Sequence, residues 1–170
     1  MNLRKNKLLV AIIVTVALTL VGCNRKTVYC HYQSVGVDGW ERSQTFYFCL
    51  SPIDQTATYA RELGLRTNSA YPFTSLSLIV EQLVLPSGSH HVDTLQCQLT
   101  DDAGTILGKG TYHYQYLFAL PSVPLHEGDS LTISVRHNMK REVLPGITDV
   151  GLFVRIQDVR DSDRHQYVGR

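Results

Sequence analysis

The motifs that usually carry catalysis are missing from this 170-residue chain. It holds no Gly-x-Ser-x-Gly elbow, no His-Glu-x-x-His pair and no Walker-type glycine loop. Leu107-Gly108-Lys109-Gly110 comes nearest to the last, with too few glycines and a strand-to-strand setting. The four cysteines form no Cys-x-x-Cys, which removes a zinc ribbon and a dithiol redox centre. Neither sign of charge is in excess: 16 Lys and Arg face 15 Asp and Glu, a net charge of +1. Phosphate-driven nucleic-acid binding therefore has no electrostatic footing. Charged residues make up only 18% against 44% hydrophobic, which excludes a disordered polyelectrolyte. These absences lead us to expect no enzymatic activity, no catalytic or metal site, no cofactor and no small-molecule substrate.

No apolar run reaches the ~20 residues that a bilayer-spanning helix needs. Residues 8–20 (LLVAIIVTVALTL) come nearest, 13 residues after a start carrying Arg4, Lys5 and Lys7. A basic start and an apolar core of roughly 7–15 residues are the marks of a signal peptide. Leu20-Val21-Gly22-Cys23 then has the form of a lipobox, in which the Cys23 thiol takes a diacylglyceryl group before cleavage on its N-terminal side. Three acyl chains on Cys23 exceed the two-signal threshold for stable anchoring. The expected organisation is a cleaved lipoprotein signal peptide at 1–22, a lipidated tether at 23–27, one domain at 28–157 and a flexible tail at 158–170. Asn24-Arg25-Lys26-Thr27 has none of the acidic character of surface-export signals, so a periplasm-facing protein is expected.

The domain reads as strands. Leu95, Cys97 and Leu99 alternate with polar neighbours, as do Leu131, Ile133 and Val135, and then Val150, Leu152, Val154 and Ile156. Period 2 sends one set to a core face. Further strand candidates are 28–33, 45–50, 56–63, 76–85, 106–108 and 112–120. Turn signals at Ser51-Pro52, Pro86-Ser87-Gly88, Asp101-Asp102-Ala103-Gly104 and Glu127-Gly128-Asp129 separate them. About nine short strands without intervening helices predict an all-β single domain, an antiparallel β-sandwich or jelly roll. Residues 56–64 (TATYARELG) are the one stretch that also reads as helix.

Cys30 and Cys49 lie on successive strands and would bond if those strands adjoin, whereas Cys97 sits on an apolar face as a buried thiol. Among seven histidines, His90-His91-Val92-Asp93 is the one cluster, expected in or beside a loop. Alternation puts His91 and Asp93 on one face, either as two metal ligands or as a solvated loop with Asp93 capping a turn. Tyr112, Tyr114 and Tyr116 alternate around His113 and share a face, which reads as sheet packing before it reads as a ligand platform.

Several stretches in order carry a resemblance: the lipobox, Trp40 with Phe46, Leu65-Arg66-Thr67, Tyr71-Pro72-Phe73, Asp93-Thr94-Leu95 and Leu107-Gly108-Lys109-Gly110. Met139-Lys140-Arg141 and Leu144-Pro145-Gly146-Ile147-Thr148-Asp149-Val150-Gly151 complete the set. Over residues 28–156 the chain resembles the gliding motility lipoprotein GldH family. The resemblance implies an outer-membrane lipoprotein of the gliding machinery, linked to type IX secretion, without enzymatic activity. Its implied partners are the membrane, through the lipid anchor, and other envelope lipoproteins or secretion and gliding components.

Trp40, Arg66 and Arg141 stand out as candidate partner contacts. Trp40 is either an exposed anchor or a core residue. Arg66 and Asp149 are either a buried pair fixing the sandwich or exposed contacts. Arg141 belongs to the basic stretch that the resemblance singles out. Two other functions remain open, carbohydrate binding and envelope assembly. A line of exposed aromatics on one sheet face would favour the carbohydrate reading, and buried aromatics under a polar outer face the interaction reading.

Overall fold

The computed structural model describes residues 27–157. The predicted signal peptide, Cys23 and the predicted tail lie outside the described residues. Among the described residues ten strands follow one another without a helix: β1 (Thr27–Ser34), β2 (Trp40–Glu41), β3 (Phe46–Leu50), β4 (Ala57–Asn68), β5 (Ser75–Leu85), β6 (Ser89–Gln98), β7 (His113–Leu125), β8 (Ser130–His137), β9 (Val143–Leu144) and β10 (Ile147–Ile156). Their pairing is nested. β5 pairs with β6, β4 with β7, β3 with β8, β2 with β9 and β1 with β10, each antiparallel. The chain is thus one long hairpin whose tip is the Pro86-Ser87-Gly88 turn. Two further pairings, β10 with β4 and β8 with β5, roll that hairpin into sheets ordered β1-β10-β4-β7 and β3-β8-β5-β6. That wrapped hairpin is a jelly roll, the all-β sandwich expected from the periodicity.

Alternation decides which side chains fill the space between the sheets. On β5, Leu76, Leu78, Val80, Gln82 and Val84 point inward in strict period 2. They meet Leu131, Ile133 and Val135 of β8, Phe46 and Phe48 of β3, and Val150, Leu152 and Val154 of β10. Each fully buried aliphatic side chain contributes about 1.5–3 kcal/mol. Asp101 Oδ1 accepts from the Ala103 and Thr105 amides at 2.9 and 2.7 Å, and Gly104 has φ +83°, as its turn signal predicts.

The structure settles some open readings and corrects others. Of the two readings of residues 56–64 the strand holds: β4 is flanked by hydrogen-bonded strands on both sides and sends Tyr59, Arg61, Leu63 and Leu65 inward. Residues 106–108 form no strand, because only Ile106 bridges, to Thr100. Cys30 and Cys49 are free and exposed, since β1 and β3 belong to different sheets. His90 to Asp93 lie at the start of β6, beside the Pro86-Ser87-Gly88 turn rather than in it.

Trp40 is no exposed anchor. It is fully buried, with Nε1 donating to the Gln44 carbonyl at 3.0 Å and its ring edge-on to Phe46 and His137 at 5.2 and 5.4 Å. A two-residue pairing with β9 holds it there, a unit too short for periodicity to reveal.

Candidate functional site

The register of the first sheet lays out its outward face row by row. Ser34, Asp149, Arg66 and Gln115 stand side by side across β1, β10, β4 and β7. The next row is Tyr32, Gly151, Gly64 and Leu117, and the third Cys30, Phe153, Glu62 and Ala119.

Glycine in the middle of a strand removes the side chain that would stand off the sheet, and here two of them open a trough. Tyr32 lies down in it. A Cβ built on Gly151 would stand 2.5 Å from Tyr32 Cδ1, and one on Gly64 would stand 2.5 Å from Tyr32 Oη. Phe153 meets the ring edge-on at 5.5 Å, and the Arg66 guanidinium sits 4.0 Å above its centroid. A cation over an aromatic face contributes about 0.5–2 kcal/mol, depending on desolvation. Arg66 also donates from Nε to Gln115 Oε1 at 3.3 Å, while Asp149 Oδ1 accepts from the Ser34 hydroxyl at 2.9 Å.

Arg66 and Asp149 are register partners on an outward face, not a buried pair between the sheets. The Tyr32 hydroxyl is buried without a hydrogen-bond partner among the described residues. Burial pushes its pKa above the ordinary phenol value, and the Arg66 cation pulls it back in part. The arrangement orients a guanidinium and a carboxylate on a rigid floor beside Leu117, which is 49% exposed. Such equipment suits docking against another surface.

Of the three candidate contacts, Arg66 belongs to this face, Arg141 to the exposed turn before β9, and Trp40 to the core. The structure does not bring them together. Tyr32, Gly64 and Phe153 were missed by sequence reasoning. The available signal was a glycine inside each of two strands, Gly64 in β4 and Gly151 in β10.

On the outward face of the second sheet, Tyr47, Glu81, Leu83, His90, Thr132 and Ser134 line a shallow depression of about 330 Å³. His90 Nε2 lies 2.5 Å from Glu81 Oε1. On the inward side of β6, His91 Nε2 contacts Asp93 Oδ2 at 3.1 Å, as alternation predicted. Among the described residues, no three His, Cys, Asp or Glu side chains are grouped to hold a metal ion. Tyr116 packs inside, stacked on Phe118 at 6.1 Å, whereas Tyr112 is exposed.

Residues 27–154 match the family model described as GldH lipoprotein. The gliding motility lipoprotein GldH of Flavobacterium johnsoniae is 33% identical over 158 residues, covering 86% of this chain and 96% of the relative. A gliding motility lipoprotein GldH homolog of Christiangramia forsetii is 30% identical over 145 residues, covering 80% and 88%. Among solved structures, a family GH115 4-O-methyl-α-glucuronidase aligns at TM-score 0.44 and 10% identity, over 80% of this chain and 18% of that one. The VP2 subviral particle protein of infectious bursal disease virus aligns at 0.36 and 13%, over 79% and 33%. Neither of these distant likenesses bears on function. The family match and the two relatives, each spanning most of both chains, place this chain in the GldH lipoprotein family.

Proposed function

We propose that the chain is a non-enzymatic interaction module of the gliding motility and type IX secretion-linked envelope machinery. It is anchored in the outer membrane through acylated Cys23 and faces the periplasm. Three residues, Asn24 to Lys26, lie between Cys23 and the start of β1 at Thr27. Such a tether spans at most about 14 Å, so the jelly roll stays close to the bilayer.

The observation that carries the docking role is the Tyr32–Arg66 trough. Its side chains are oriented before any partner arrives, and its glycines serve no turn. Preorganised aromatic and arginine groups concentrate binding energy at interfaces. The large aromatics Trp40, Phe46, Phe48 and Tyr59 are buried, which favours an interaction face over a line of sugar-stacking rings. The depression around Tyr47, 60% exposed, is the feature that favours glycan binding as a second reading.

A gentle-detergent pull-down of the tagged, lipidated chain from native membranes tests the proposal, with Cys23→Ala as control. Stoichiometric recovery of gliding or type IX secretion lipoproteins is expected from the parent and not from Cys23→Ala. Recovery of the chain alone overturns a stable-complex role and moves the test to glycan binding.

A further inference from the structure

Each four-stranded sheet has two edges, and an edge strand carries a row of backbone groups with no partner in its own sheet. Three of the four edges are blunted. β1 has a register break between Thr27 and Tyr29, and its Gln33 side chain donates to the Tyr47 carbonyl of β3 at 2.6 Å. β3 is only five residues long. On β7, Gln115 exchanges backbone bonds of 2.9 and 3.0 Å with Lys109, and Pro121 and Pro124 interrupt the strand further on.

β6 has none of these devices. It runs for ten residues without proline, glycine, lysine or arginine, and without a register break against β5. Among the described residues, no loop backbone bonds the outer side of residues 90–98.

We propose that this edge is a self-association surface, on which β6 pairs antiparallel with β6 of a second copy of the chain. The two four-stranded sheets then continue as one of eight strands. A twofold axis perpendicular to the sheet joins outer face to outer face, so paired residues share parity. One register sets an imidazole opposite a carboxylate on both sides of the axis. With Val92 on the axis, His91 stands opposite Asp93 of the second copy, and Asp93 opposite its His91. Moving the axis to residue 93 sets aspartate on aspartate, which is unfavourable for like charges, and moving it to residue 91 leaves Asp93 opposite Ser89. Both side chains are accessible, His91 at 62% and Asp93 at 42%. On the outer face Val92, 51% exposed, covers its own copy. A foreign strand would satisfy the same backbone groups, but in this register the His91–Asp93 contact made within each copy at 3.1 Å extends across the axis as an alternating histidine–carboxylate set, which favours a second copy. Where both copies are anchored at Cys23 in one leaflet, the axis runs along the membrane normal and the sheets lie along the surface.

Cysteine cross-linking of the full lipidated chain in its own membranes tests the register. Cys30→Ser and Cys49→Ser first remove the exposed thiols, and Cys97 is buried. Residues opposite each other on antiparallel strands have Cα atoms about 4.5–5.5 Å apart, within disulfide reach. Mild oxidation of Val92→Cys is expected to give a covalent dimer. His90→Cys and Thr94→Cys each lie about 14 Å from their own copies. Each is expected to stay monomeric alone and to cross-link when the two are co-expressed. Val92→Lys, a charge on the axis, is expected to leave monomers in detergent light scattering with thermal unfolding unchanged. A monomeric Val92→Cys, a cross-link to a different protein, equal dimerisation of His90→Cys alone, or a dimeric Val92→Lys would each overturn the proposal.

Discussion

Tyr32 on β1 reaches across β10 to bring its hydroxyl over Gly64 of β4, where a Cβ would stand 2.5 Å from Oη. Gly151 makes the same room beneath the ring. Gly64→Ala or Gly151→Ala therefore lifts Tyr32 and strips the Arg66 guanidinium of its aromatic base. Overpacking of this kind destabilises by about 1–3 kcal/mol, measurable by urea unfolding. In a Tyr32→Ala background the same glycine substitutions should have little effect, because the coupling partner is gone. An undiminished loss there would assign the glycines a backbone role instead.

Removing only the Tyr32 oxygen has the opposite consequence. That hydroxyl is buried without a partner among the described residues. Tyr32→Phe keeps the ring in the trough and under Arg66, so stability should be unchanged or raised by up to about 1 kcal/mol. A clear loss in chemical denaturation would mean that the hydroxyl has a partner.

Arg61 lies inside the sandwich, 5% exposed, with the Gln82 side chain and the Pro121 carbonyl as its acceptors. Burial lowers its pKa to about 10, which leaves it charged at neutral pH. Its hydrogen-bond acceptors are neutral, and the Asp93 carboxylate on β6 offsets part of the effect of burial. Arg61→Ala leaves a cavity and an unpaired Gln82, a loss of about 3–5 kcal/mol. Replacing both groups, as Arg61→Met with Gln82→Leu, should be near neutral or stabilising, as with other buried polar groups exchanged together. Unfolding curves of the single and double variants separate these outcomes.

The sequence made the sheets legible wherever one face alternates over several residues. β5, β8 and β10 emerge from Leu76 to Val84, Leu131 to Val135 and Val150 to Val154, because burial on one side imposes period 2. Trp40 was not legible, since two-residue strands have no period and its partner Leu144 lies a hundred residues away. The helix-compatible spacing of Tyr59, Leu63 and Arg66 was overridden by pairing on both sides of β4. The trough was partly written in Gly151 and Arg66. It became visible only when register set Tyr32 beside both glycines, because the three residues come from different strands.

His137 is 1% exposed beside Trp40, and burial lowers its pKa below the ordinary 6.5. Its Nδ1 accepts from the Met139 amide at 3.4 Å, a contact that protonation at that nitrogen removes. A histidine with a depressed folded pKa stabilises fully above its unfolded value, and that contribution is lost as pH falls through the folded one. The melting temperature should therefore fall as pH drops below about 6.5. His137→Phe should flatten that part of the profile. An unchanged slope in the variant would place the pH dependence elsewhere.

On the proposed reading, the outward face carrying Tyr32 and Arg66 is where the jelly roll meets its partner. Leu117 shares a row with Tyr32, Gly151 and Gly64 and is half exposed, so it can carry a photo-crosslinking residue without entering the core. In native membranes, Leu117 so replaced should cross-link to a component of the gliding or secretion machinery. The adduct should disappear when Arg66→Ala is added. No adduct from Leu117, or one that survives Arg66→Ala undiminished, would place the partner contact elsewhere.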